Sequence, residues 1–213
     1  MVPDGQWPTF LTLVLPFLAA AAAPLLSRAL GHKAAWVLAV VPAFIFFHFA
    51  GFLGPIASGE AIAGGYPWIP SLGVEFSWYL DGLSLTFALL ISGIGALIVL
   101  YSGGYLRSHP HQGRFFSFIL MFMGAMQGLV LADSFLMLFV FWELTSIASF
   151  LLIGFDHSRE AARRAALQAL IVTGAGGLSL LAGLLVIAAA TGASSLSSLL
   201  ATGEGLREAP LYF

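Results

Sequence analysis

The chain has 213 residues, 60% of them hydrophobic and 8% charged. Soluble domains carry about 25% charge, so this balance points to a membrane protein, in line with a mean hydropathy of +0.98. The net charge of −2 supplies no basic field for nucleic acid, and the absence of cysteine excludes disulfides, thiolate metal sites and thiol catalysis.

The length fits one compact unit, so residues 1–213 read as a single transmembrane domain. The N-terminal Met1-VPDGQWPTF has no basic residue ahead of its apolar run. It therefore reads as the approach to a first span and not as a cleaved signal peptide. Apolar length and charge gaps then give six spans, near 10–26, 34–53, 83–101, 115–131, 134–155 and 165–190. The first contains Pro16 and Pro24, and the second Pro42 and His48. Neighbouring helices satisfy the backbone groups that such prolines free. The sixth is rich in small residues, including Gly174, Gly176, Gly177 and Gly183, which permit close helix approach in lipid.

Between the second and third spans the texture changes to Gly64-GYPWIPSLGVEFSWYLDG. Aromatic residues, two prolines and a Ser71-Leu72-Gly73 turn predict a short β-hairpin or extended loop at the membrane surface. Trp68, Trp78, Tyr66 and Tyr79 are expected to form an interfacial aromatic belt there. After the sixth span, a polar stretch with a short amphipathic helix near 196–200 is expected. The fold class is thus an all-α polytopic membrane protein with one small extracytoplasmic hairpin.

Charge placement orients the spans. Arg28, Lys33, Arg107, Arg114, Arg159, Arg163 and Arg164 fall in the turns on one side, and only Arg207 on the other. Cytoplasmic loops carry excess Lys and Arg, so the seven mark the cytoplasmic side and the N-terminus lies outside. The acids Asp4, Glu60, Glu75, Asp81, Asp133, Glu204 and Glu208 gather on the outer side. Localisation in the cytoplasmic membrane of a prokaryote is expected. With an even number of spans, the chain reads as one portion of a longer polypeptide.

The sharpest chemical feature is Glu143. It is the only charged residue among the 22 between Asp133 and Asp156, and stands tenth of them. A 22-residue helix is about 33 Å long, against a hydrocarbon core of about 30 Å. The carboxylate therefore lies near the midplane, where insertion costs about 2.5–3.5 kcal/mol. An acid held at such a cost is by default a hypothesis about a proton or ion path. At about 100° per residue, Ser146, Ser149 and Thr145 share one half of the helix with Trp142. Those hydroxyls either hold water or bond back to their own helix.

An isolated carboxylate in lipid holds its proton until a cation offsets the charge. No Lys or Arg falls inside a span, so the cationic partner is expected from a later helix or another subunit. Gln127 and Gln168 are the other intramembrane amides, as bonds to water or the carboxylate or as helix contacts. His48 is either a proton relay or a satisfied core histidine. Asp81 and Asp133 precede spans, as helix caps or as ion-inlet residues. His109-Pro110-His111 lacks acid or cysteine company, so no metal site is expected. Arg159, Arg163 and Arg164 set topology and can meet lipid phosphates. There is no Gly-x-Ser-x-Gly, P-loop, His-Glu-x-x-His or dinucleotide fingerprint, and so no catalytic residues and no cofactor are expected.

The segment Leu131-ADSFLMLFVFWELTSIASFLLIGF resembles the fifth transmembrane helix of the antiporter-like subunits. Trp68-IPSLGVEFSWYLDGLSLTFALLISGIG is similar to the stretch that leads into the third. The resemblance covers about residues 66–190, with the Asp-Gly-Leu-Ser and Phe-Trp-Glu-Leu runs in the family's order. The family comprises large membrane subunits of Mrp-type Na⁺/H⁺ antiporters, of respiratory complex I and of related hydrogenases. Within it the chain looks most like Mrp A-type subunits, and next like the complex I L-type subunit. The resemblance implies a bundle of about fourteen helices with two inverted repeats, of which this chain covers the N-terminal part. It assigns the proton-path glutamate to Glu143 and implies a lysine partner on the seventh helix.

Three functions follow as expectations. One is Na⁺/H⁺ antiport within a hetero-oligomeric membrane complex, with H⁺ and Na⁺ as cargo. The second is a redox-driven proton-pump subunit of the complex I type. The third is a structural scaffold, which predicts that Glu143→Leu is tolerated.

Overall fold

The computed structural model describes residues 7–69 and 74–201. The Ser71-Leu72-Gly73 turn, Asp4, Glu204, Arg207 and Glu208 lie outside the described residues. The element order is α1 (Trp7–Leu30), a 3₁₀ turn (Gly31–Lys33), α2 (Ala34–Ala50), α3 (Leu53–Ala57), β1 (Ile62–Ile69), β2 (Val74–Leu80), α4 (Gly82–Tyr105), α5 (Gln112–Leu131), α6 (Phe135–Ile153), α7 (Glu160–Thr191) and α8 (Leu196–Ala201).

Among the described residues, five helical stretches are long and apolar enough to cross a membrane, the first running 43 residues from Pro8 to Ala50. That stretch is folded back on itself. Gly31 takes φ +57° in the 3₁₀ turn, a left-handed conformation open to glycine at no steric cost. Beyond it, α2 returns along α1, and Thr9 Oγ1 lies 3.4 Å from His48 Nε2. A straight 43-residue helix would hold those two residues about 58 Å apart. The bundle thus has six long helices in alternating directions, and the expected all-α polytopic fold with a small hairpin is the observed one.

The α1, α2, α4 and α5 helices surround the main core, which includes Leu13, Leu38, Ile45, Leu85, Phe116 and Leu120. The α6 helix packs on α5 through a smaller cluster of Ala132, Met137 and Phe141. Outermost is α7, which packs on α6 and leaves Leu167, Ile171, Leu178 and Leu185 exposed. At 32 residues it is about 48 Å long. It starts five residues ahead of the expected apolar span, and in that added turn Arg164 pairs with Glu160 at 2.6 Å.

The β1 and β2 strands form the expected antiparallel hairpin, with Ile62 opposite Leu80 and Tyr66 opposite Phe76. Its role differs from a belt. Trp78 is fully buried, and Phe10 stacks edge-on to Tyr66 at 5.5 Å and to Phe76 at 5.8 Å. Alternation places Phe76, Trp78 and Leu80 on one face, and that face caps the bundle. Of the four aromatics, Trp68 is the one largely exposed. The Tyr66 hydroxyl is buried without a partner, and desolvation pushes its ionisation above the usual value.

Hairpin and α8 sit at one end of the bundle. At the other, the end of α1, the 3₁₀ turn, the α4–α5 connection, the start of α5, the α6–α7 connection and the start of α7 present all seven described Lys and Arg residues. The chain is therefore an integral multi-pass membrane protein with a marked charge asymmetry between its two ends.

Candidate functional site

Glu143 is the ninth of 19 residues of α6, half-buried, with its Oε1 fully enclosed and unpartnered. Its neighbour across the interface is Gly177 of α7. A Cβ built on Gly177 would overlap Glu143 Oε1 and stand 3.0 Å from Trp142 Cδ1. The acid therefore lies against bare backbone, in a gap that only glycine leaves open.

Helix geometry fixes this direction. Phe141 meets α5, where a Cβ on Gly128 would overlap its ring. Two residues on, Glu143 is rotated about 200° and points to the opposite side, toward α7. The carboxylate joins none of the ion pairs among the described residues. These are Arg159–Asp156 and Arg164–Glu160, both at the exposed basic end.

The hydroxyls near Glu143 bond largely to their own helix. Thr145 Oγ1 donates to the Trp142 carbonyl at 2.7 Å, and Ser146 Oγ donates to the same carbonyl at 3.2 Å. Ser146 is buried, whereas Thr145 and Ser149 are half-buried. Thr145 and Ser146 each keep an acceptor lone pair free, but their donors are already used.

Neither glutamine reaches Glu143. Gln127 is 0% exposed, with both Nε2 and Oε1 unpartnered. It lies at the depth of Trp142 but on the α5 face turned toward α1 and α4. One turn inward, Gly95 of α4 packs on Met123 and Gly124 packs on Pro16 of α1. One turn outward on those helices are Thr12 and Ser92, whose hydroxyls donate to Thr9 O at 2.6 Å and Ala88 O at 2.6 Å. Gln168 is exposed on α7, nine residues and about 13 Å from Gly177. His48 sits between Phe44, Phe49 and Phe52 and pairs with Thr9.

Asp81 is the N-cap of α4 in a reciprocal capping box. Its Oδ1 accepts from Ser84 N–H at 2.8 Å, and Ser84 Oγ accepts from Asp81 N–H at 2.7 Å. Asp133 does not cap α6; Ser134 does, accepting from Met137 N–H at 3.2 Å. Asp133 is used for a longer-range purpose. Its two carboxylate oxygens accept from Ser197 N–H at 2.8 Å and from the Ser197 hydroxyl at 2.7 Å. Its own N–H donates to Ser77 O at 3.0 Å, and its carbonyl accepts from Leu196 N–H at 2.9 Å. One buried acid thus joins hairpin, α6 and α8. It also lines a cavity of about 460 Å³ with Glu75, Ser77 and Ser195. That cavity reaches Leu181 of α7, one turn from Gly177.

Sequence reasoning marked Gly177 only as a close-packing residue. The missed indication was the Gly-x-Gly-Gly run of α7 at a depth matching a lone acid on the preceding helix. Among the described residues, no group of three or more His, Asp or Glu side chains is arranged to hold a metal.

Two family models match the sequence. One, described as NADH-ubiquinone oxidoreductase (complex I), chain 5 N-terminus, matches residues 68–116. The other, described as NADH:quinone oxidoreductase/Mrp antiporter, transmembrane, matches residues 132–211. The Na(+)/H(+) antiporter subunit A1 of Staphylococcus haemolyticus (strain JCSC1435) is 40% identical over 203 residues, which is 95% of this chain and 25% of the relative. Its counterpart in Staphylococcus aureus is also 40% identical over 203 residues. The chain spans about a quarter of the length of these curated relatives. Among solved structures, the Mrp complex from Dietzia sp. DQ12-45-1b aligns with TM-score 0.78 and 36% identity, over 88% of this chain and 20% of that one. The archaeal membrane-bound sulfane sulfur reductase aligns with TM-score 0.72 at 23% identity, over 92% of this chain and 31% of that one, a likeness of fold alone.

Proposed function

This chain belongs to the family of antiporter-like membrane subunits, and on that premise we propose that it forms the N-terminal part of a proton-translocating subunit of a multisubunit Na⁺/H⁺ antiporter. The observation that carries this reading is Glu143, a mid-helix carboxylate whose enclosed Oε1 has no partner and faces a glycine. A group so placed loads and releases a proton at low structural cost, because no hydrogen bond must break first. It acts as a transporter residue; H⁺ and Na⁺ are cargo, and no step calls on a cofactor.

The cationic partner comes from further helices of the polypeptide or from a neighbouring subunit. The exposed apolar face of α7 supports such company. With that cation, Glu143 forms a coupled titrating pair, so that loading one changes the charge state of the other. The cavity of Glu75 and Asp133 supports an inlet from the hairpin end. Ser146 and Ser149 lie on the Glu143 side of α6 as acceptors for water along the route, while Gln127 faces away. The gathering of all seven described Lys and Arg residues at one end supports a cytoplasmic position for that end, with the N-terminus and hairpin outside.

The test is cation-dependent proton flux in everted membrane vesicles carrying the whole complex. Glu143→Gln abolishes the flux while subunit assembly on native gels is retained, and Glu143→Asp keeps part of it. Full flux in Glu143→Gln removes the proposal. The complex I-type pump is supported by the description of the match over 68–116. The 40% identity to antiporter subunits favours exchange, and copurification with NADH-oxidising subunits would reverse that preference.

A further inference from the structure

A second site lies at the basic end of the bundle, far from Glu143. The α1 terminus, the 3₁₀ turn, the α4–α5 connection and the first turn of α5 enclose a cavity of about 430 Å³. Its lining carries Arg28, Arg107, Arg114 and three histidines, and no acid. Like charges converging on one cavity repel unless an anion occupies it.

Two buried donors among the lining residues lack acceptors. One is the hydroxyl of Ser27 and the other the Nε–H of Arg114. The Arg114 group is anchored through Nη2, which donates to Phe155 O at 2.6 Å and lies 3.2 Å from His157 Nδ1. Its Nε–H is thereby fixed in place with nothing to bond. Close packing seats Ser27 on the start of α5, since a Cβ on Gly113, next to Arg114 in the chain, would stand 3.0 Å from both Pro24 Cα and Ser27 Cβ. That contact brings the α5 N-terminus onto the same wall. No side chain caps this 20-residue helix, and such an N-terminus favours an anion.

We propose that this cavity binds a phosphate group, that of an anionic phospholipid headgroup. Phosphate supplies several acceptor oxygens for the two orphan donors and negative charge for the three guanidinium groups. The depth fits a headgroup. Trp36, Tyr101 and Tyr105 are exposed near the same end, and Tyr101 stacks on Tyr105 at 5.5 Å, as interfacial aromatics do. Arg159, Arg163 and Arg164 do not line the cavity, although Arg163 donates to His157 O at 2.6 Å beside Arg114, and the test of the site does not depend on transport.

The experiment uses the intact complex, delipidated in neutral detergent and titrated with phosphatidylglycerol, phosphatidylcholine or inorganic phosphate, with bound species counted by native mass spectrometry. Phosphatidylglycerol binds in preference to phosphatidylcholine, and Arg28→Gln/Arg107→Gln weakens it about tenfold or more. Ser27→Ala, which leaves every side-chain charge in place, weakens it by a smaller factor. Millimolar inorganic phosphate leaves lipid binding intact. Equal binding of the two lipids, or unchanged binding by the double variant, overturns the site. Full displacement by inorganic phosphate overturns the headgroup assignment in favour of a free anion.

Discussion

Glu143 on α6 and Gly177 on α7 occupy one space: the carboxylate oxygen stands where the side chain of residue 177 would begin. Both residues belong to helices that are apolar at that depth. The pair therefore defines a local gap between two packed helices, with a titratable group inside it. A gap kept by a missing Cβ is sensitive to single methyl groups, because membrane helix interfaces rest on close packing.

Gly177→Ala is expected to displace the Glu143 carboxylate and to lower proton flux severalfold with the complex still assembled. Gly177→Val adds a branched side chain and costs about 1–3 kcal/mol of stability by overpacking. Thermal unfolding of the purified complex and flux in vesicles read the two effects separately. Full flux in Gly177→Val is the outcome that removes the pair.

Glu143→Leu separates transport from scaffolding. Removing a mid-membrane acid relieves about 2.5–3.5 kcal/mol of insertion cost. The variant is expected to unfold at a higher temperature and to lose cation-dependent flux altogether. A scaffold predicts the same stabilisation with transport unharmed, so the flux measurement discriminates.

Six long helices, the hairpin, the α8 segment and the sidedness of charge were legible because apolar length and Lys/Arg placement are one-dimensional properties. Asp81 was legible as a cap because its partner Ser84 is three residues away. Asp133 was not, because its partner Ser197 is 64 residues distant. Trp78 reads as a surface aromatic from composition, yet the hairpin folds over the bundle and buries it. The place of Glu143 along α6 was legible; the glycine it faces belongs to a tertiary contact that no local pattern encodes.

Tyr66 is expected to destabilise the protein at alkaline pH. Its hydroxyl is buried, and desolvation raises its ionisation in the folded state. The folded chain then holds this proton more tightly than the unfolded one. The stability it supports is complete below about pH 10 and falls as pH rises through the raised folded value. Tyr66→Phe removes the orphan hydroxyl, stabilises by about 1 kcal/mol and flattens that alkaline decline. A melting series from pH 8 to pH 11, with wild type and variant in parallel, checks both parts.

Asp133→Ala is expected to release α8 and the hairpin together. The substitution strands the Ser197 N–H and hydroxyl, and a lost charge-assisted bond costs about 1.5–3 kcal/mol. Asp133→Asn keeps one acceptor oxygen and should retain about half of that stabilisation. The backbone bonds from Asp133 N–H to Ser77 O and from Leu196 N–H to Asp133 O do not involve the side chain, so the break stays local. Hydrogen exchange at 74–80 and 194–201 should rise in Asp133→Ala while α4 and α5 stay protected. Uniform loss of protection across all helices would show instead that Asp133 supports the whole bundle.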